Sequence, residues 1–165
     1  MFNALLYTLA QICLNSFAKA QNGEFRRARL QDIEDFFEEN HDLPKNDENL
    51  IRIKEVLEIM DHNFQETAAY ISSRAVAVTA YLFVEDLFKN QKRALIPLFA
   101  EFYFTLLKDI EINMRLLSGF EKPLNTSVME EFQKYVLQAS VEAYSIKRRH
   151  TFLEKAFDIY QANKK

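Results

Sequence analysis

Two glycines and three prolines in 165 residues leave this chain almost without the residues that make tight turns. A sandwich or barrel of many short strands needs such turns at close intervals, so those architectures are excluded. Long helices with few connections remain. Apolar residues make up 48% and charged residues 27% of the sequence, which gives material for a core and rules out a disordered chain. The length suits one domain with a real core and is short for two. No solenoid repeat, low-complexity tract or long linker divides it. The fold expected is all-α, a single-domain bundle of about seven helices. The domain spans 1–165, either as a stand-alone chain or as an excised C-terminal domain.

Apolar spacing predicts the helices. Phe2, Leu5, Leu6, Leu9, Ile12, Cys13 and Phe17 give a first helix to about Ala20, ending near Gly23. The same spacing reads the first twenty residues as an amphipathic helix and not as a signal peptide. A second helix is expected over about Arg29–Glu39 and a third from Asp47 to about His62, with "NHDLPKND" as the loop between. In "SSRAVAVTAYLFVEDLF" apolar side chains take nearly every face after Arg74, the mark of a helix buried on several sides. "ALIPLFAEFYFTLLKDIEINMRLLSGF" repeats that pattern, with Pro97 in the first turn and Gly119 as the stop. Thr126 or Ser127 can cap a sixth helix running to about Ala143, and a seventh covers about Ile146–Ala162.

The sequence carries few groups arranged for chemistry. Two glycines cannot build a phosphate-binding loop, and no serine sits in a nucleophile elbow. The lone Cys13 excludes an internal disulfide and shares a helical face with Phe2, Leu6, Leu9 and Phe17, so it reads as a core residue. Glu38 and His41 stand at the Glu-x-x-His spacing of di-iron bundles, but no second half-site exists. No metal, no cofactor and no catalytic residue is expected. The stretches Ala75–Val84 and Leu95–Leu107 are too short to span a bilayer; no membrane association and a cytoplasmic location are expected.

Charge is unevenly distributed. The net charge is −3, yet eight carboxylates and one lysine lie between Asp32 and Glu48, and six cations and two carboxylates between Lys147 and Lys165. The cations of "SIKRRH", together with Arg74 in "YISSRAVAV", are the candidate nucleic-acid contacts: Lys147, Arg148, Arg149 and Arg74. Cations in the first turn of a helix oppose its dipole by a few tenths to ~1 kcal/mol. An acidic neighbour, a bound anion or a helix continuing from the sixth would each offset that.

The succession "SSRAVAVTAYLFVEDLF", "FAEFYFTLLKDIE" and "EEFQKYVLQASVEAYSIKRRHTFLEKAFDIY" resembles the helical C-terminal region of GmrSD-like restriction and phage-defence proteins. In that family a small-polar stretch, an Ile and an Arg precede a final amphipathic helix; here they correspond to Gln138-Ala139-Ser140, Ile146 and Arg149. The family's ParB/sulfiredoxin-like nuclease domain carries an Asp-Gly-Gln-Gln-Arg-type motif, and nothing like it occurs in this sequence. The resemblance therefore implies a non-enzymatic accessory domain that assists nucleic-acid recognition or subunit docking. The partners it implies are DNA and a partner protein or nuclease subunit. A protein–protein interaction module without a nucleic-acid role is the alternative, and the charge asymmetry also allows a homo-oligomer.

Overall fold

The computed structural model describes residues 4–71, 73–118, 127–138 and 140–164. Among them the chain forms seven α-helices, two short 3₁₀ turns and no strand. The α-helices are α1 (Ala4–Asn22), α2 (Leu30–Glu39), α3 (Glu48–Asn63), α4 (Arg74–Lys89), α5 (Ile96–Ser118), α6 (Ser127–Leu137) and α7 (Ala143–Asn163). The 3₁₀ turns, Thr67–Tyr70 and Arg93–Leu95, precede α4 and α5. Neither is long enough to leave a periodic signature in the sequence.

Local chemistry sets the helix ends. Asp47 Oδ1 accepts the Asn49 and Leu50 N–H groups at 2.8 and 3.3 Å, which starts α3. Ser73 Oγ accepts the Val76 N–H at 3.3 Å at the start of α4. Asp32, at the third position of α2, accepts the Arg29 N–H at 2.9 Å. The Arg27 guanidinium on the same carboxylate holds its pKa below the ordinary range. α1 stops at Gly23, whose φ of +75° lies in the left-handed region and whose N–H reaches Lys19 O at 3.1 Å. The Gly119 stop and the Thr126 cap lie outside the described residues.

α4 sits at the centre, packed against α1, α3, α5 and α7. Eleven of its sixteen residues are buried, as its all-round apolar pattern predicts. Phe83 on α4 stacks on Phe99 of α5 at 4.4 Å, and Phe157 of α7 stands edge-on to both rings. Each such pair adds about 0.5–1.5 kcal/mol beyond the area it buries.

Two expectations need correction. Leu6 and Leu9, placed by spacing on the inner face of α1, are exposed. Instead every residue from Ala10 to Ala18 is buried, Gln11, Asn15 and Ser16 included. The reason is that α1 is enclosed by α2, α3 and α4, and that an irregular backbone segment lies over it. Gln11 Nε2 donates to Ala28 O at 3.1 Å, and Asn15 Oδ1 accepts the Arg26 N–H at 3.0 Å. Polar side chains thus face inward to satisfy that backbone. Secondly, α6 ends at Leu137 and α7 begins afresh at Ala143. Lys147, Arg148 and Arg149 therefore fall in the second turn of α7, past the reach of its dipole.

Asp86 near the end of α4 draws two further helices together. Lys19 of α1 donates to both its oxygens at 2.6 Å, and His150 Nε2 of α7 lies 2.7 Å away. The imidazole is close but poorly aligned for a hydrogen bond. Burial by itself would raise this carboxyl; His150 and Lys19 outweigh it and hold the pKa below the ordinary aspartate value. A depressed pKa in the folded state stabilises above the unfolded value, and that stabilisation is lost as pH falls through the folded one. Asp86→Asn should therefore lower the urea midpoint at neutral pH. Its deficit should close as pH drops below about 4, the ordinary aspartate pKa. A deficit independent of pH would mean that the Asp86 charge contributes nothing.

Candidate functional site: an apolar groove and a divided cation set

The four candidate cations do not share a surface. Arg149 is 1% exposed. Its Nε donates to Thr79 Oγ1 of α4 at 2.7 Å, and its terminal nitrogens donate to Tyr135 O at 2.6 Å and Ser140 O at 2.9 Å. It thereby caps the carbonyl end of α6 and ties the turn after it to α4. Reaching a polyanion would mean abandoning all three acceptors, so the structure removes Arg149 from the set of surface contacts. Arg74 lies over the Tyr7 ring, 4.5 Å from its centroid, and lines a small cavity together with Arg149.

Lys147 and Arg148 are exposed. Arg148 Nε donates to Tyr144 Oη at 2.9 Å, and its guanidinium lies 5.0 Å from the centroid of that ring. Tyr144 and Tyr135 meet edge to face at 5.8 Å, and Lys134 stands 5.9 Å from the Tyr135 ring. Two tyrosines and their neighbouring cations thus form a polar aromatic surface where α6 meets α7. Spacing in one helix cannot show this, because the partners come from two helices.

A larger feature lies between α1 and α3. Leu9 and Cys13 of α1 face Leu50, Ile53 and Leu57 of α3 across an open groove of about 540 Å³. Lys54, Glu58 and Asp61 border it, with Lys54 Nζ 3.8 Å from Glu58 Oε1. Burial pushes the Cys13 thiol up to about 11, so the cysteine acts as apolar lining and not as a nucleophile. The exposed Leu9, set against the core face by sequence spacing, is one wall of this groove.

Behind the groove is a buried ionic contact. Glu85 of α4 has no solvent exposure. Arg52 of α3 donates to Glu85 Oε1 at 2.8 Å, and Ser16 of α1 donates to the same oxygen. Arg52 also donates to Asn49 Oδ1 at 2.8 Å and to Ser16 Oγ at 3.2 Å. The Tyr81 hydroxyl stays protonated beside it, its pKa raised by burial and by the Glu85 charge. The groove walls are therefore pinned to one another through α4.

Glu38 and His41 lie on the exposed end of α2 and the turn after it, where His41 Nδ1 meets Glu38 O at 2.8 Å and Nε2 meets Asp42 at 3.0 Å. Among the described residues no group of three or more His, Cys, Asp or Glu side chains is gathered for a metal ion. Among them too, no helix is long and apolar enough to cross a membrane. No protein-family model, curated protein or solved structure matches the chain.

Removing one partner of a buried ion pair strands the other, at a cost of roughly 3–5 kcal/mol. Arg52→Met should lose about that much in urea denaturation. The double variant Arg52→Met/Glu85→Leu should recover most of it, because neither charge is then buried alone. A single variant as stable as the wild type would show that the pair does not hold the groove walls.

Proposed function

We propose that the chain is a non-catalytic helical docking module, the accessory role that its resemblance to GmrSD-like proteins implies. Its α1–α3 groove receives an amphipathic helix of a partner protein. The supporting observation is the groove itself: Leu9, Leu50 and Leu57 face it above the buried Ile53 and Cys13. Leu50, Leu57 and Asp61 run along α3 over about three turns, the length read by anchors at i, i+3 or i+4 and i+7. At the border Lys54 lies 3.8 Å from Glu58, and Asp61 is exposed beside them, so one cation and two carboxylates give the rim a net acidic charge. Charge complementarity then selects a helix with basic flanks.

A second reading, contact with DNA, is favoured by the surface of Lys134, Tyr135, Tyr144, Lys147 and Arg148. Exposed aromatic rings can stack on bases, and lysine and arginine contacts to phosphates make binding steeply salt-dependent. Arg149 is excluded from this surface by its burial.

The test is titration of fluorescent amphipathic helical peptides, one with Lys/Arg flanks and one with Glu flanks, against the wild type and Leu57→Glu. The basic peptide should bind in a salt-sensitive way, the acidic one should not, and Leu57→Glu should weaken binding by about tenfold or more. Absence of binding, with sedimentation showing a dimer that Leu57→Glu dissociates, would assign the groove to a second copy of this chain. Salt-sensitive binding of a DNA duplex, lost in Lys147→Glu/Arg148→Glu, would instead support the second reading.

A further inference from the structure

Arg149 is a full charge in the interior, and the three groups it meets are a hydroxyl and two carbonyls. Among the described residues no carboxylate stands within ion-pair distance of it. Burial lowers its pKa only to about 10, so the guanidinium is charged at neutral pH. The carbonyl end of α6 supplies about half a compensating charge. A buried cation without a counter-charge is otherwise strongly disfavoured. A guanidinium carries five N–H groups, and these contacts use three of them.

Beside it lies a nearly closed cavity of about 20 Å³, lined by Arg149, Arg74, Gln11, Asn15, Val78 and Ile146 among others. That volume holds one particle of about the size of a water molecule. The side chains lining it include several donors. Asn15 Oδ1 is taken by the Arg26 N–H, while Gln11 and Asn15 each spend one amide hydrogen on a backbone carbonyl and keep a second. Arg74 brings a further positive charge to the mouth, where its side chain is exposed.

We propose that this cavity takes one small monovalent anion of the chloride class, held by the remaining N–H groups of Arg149 with Arg74 at the rim. Size excludes an intact phosphate or sulfate from the same space. A water molecule would satisfy the N–H groups and leave the charge uncompensated. The site supplies the counter-charge that no described side chain provides, and it makes the α4–α6–α7 junction sensitive to the anion in solution.

The test uses the full chain at fixed ionic strength, with sodium gluconate replaced stepwise by chloride, bromide or phosphate. Chloride and bromide should raise the melting temperature saturably, by roughly 3–6 °C at ten times the dissociation constant. Gluconate is the better-excluded general stabiliser, so a specific chloride effect runs against the non-specific trend. The chloride-35 NMR line should broaden with added protein, and bromide should reverse the broadening. Arg74→Gln, which alters an exposed side chain and leaves the core intact, should weaken both responses several-fold. Equal melting in gluconate and chloride, or a chloride line unaffected by the protein, would overturn the proposal. So would a response unchanged in Arg74→Gln, or stabilisation by phosphate with none by chloride.

Discussion

The carboxylate of Glu85 is the point on which the arrangement of helices depends. A charge with no solvent exposure is tolerable only when partners reach it in good geometry. Here they reach one oxygen, Oε1, from two other helices, Arg52 from α3 and Ser16 from α1, while Oε2 has no hydrogen-bond partner among the described residues. Adjacent residues on a helix point about 100° apart. Asp86, the next residue, accordingly faces elsewhere and meets Lys19 of α1 and His150 of α7. Two consecutive carboxylates on the central helix thus fix the positions of α1, α3 and α7 around it. The ion pairs add directional contacts to the apolar packing around α4.

At the other end of α4 the anchors are different in kind. Tyr103 donates to Val76 O at 2.9 Å, and Thr79 accepts from Arg149. Arg149 in turn holds the Tyr135 carbonyl in the last turn of α6 and the Ser140 carbonyl beyond it, and Val141 O accepts the Ala28 N–H at 2.9 Å. The irregular segment 24–29 and residues 140–142 are therefore fastened to the same helix end. A residue that sequence reasoning placed on a nucleic-acid surface is an interior clasp, and its charge is the reason the small cavity beside it favours an anion.

The helices were largely legible in the sequence because their signals are local. Asp47 and Ser73 cap helices where short polar residues precede apolar runs, Pro97 sits in the first turn of α5, and the continuous apolar pattern of α4 marks it as buried. The inward polar residues were not legible. Gln11 and Asn15 are buried to serve backbone groups at Ala28 and Arg26, contacts that periodicity within α1 cannot encode. Arg149 and Thr79 are 70 positions apart, so nothing near "SIKRRH" distinguishes an interior arginine from the exposed Arg148 beside it. The groove escaped notice for a related reason: an apolar residue such as Leu9 has the same spacing whether it packs inside or lines an open wall.

α1 and α3 are proposed to form a preformed groove locked to α4. Native-state hydrogen exchange, followed residue by residue, tests it most directly. Amides of α1 from Ala10 to Ala18, and of α3 around Ile53 and Val56, should exchange only through global unfolding, with the same free energy as those of α4. Exchange of the α3 amides through local opening, while α4 remains protected, would contradict it and make the groove a transient feature of a loosely attached helix.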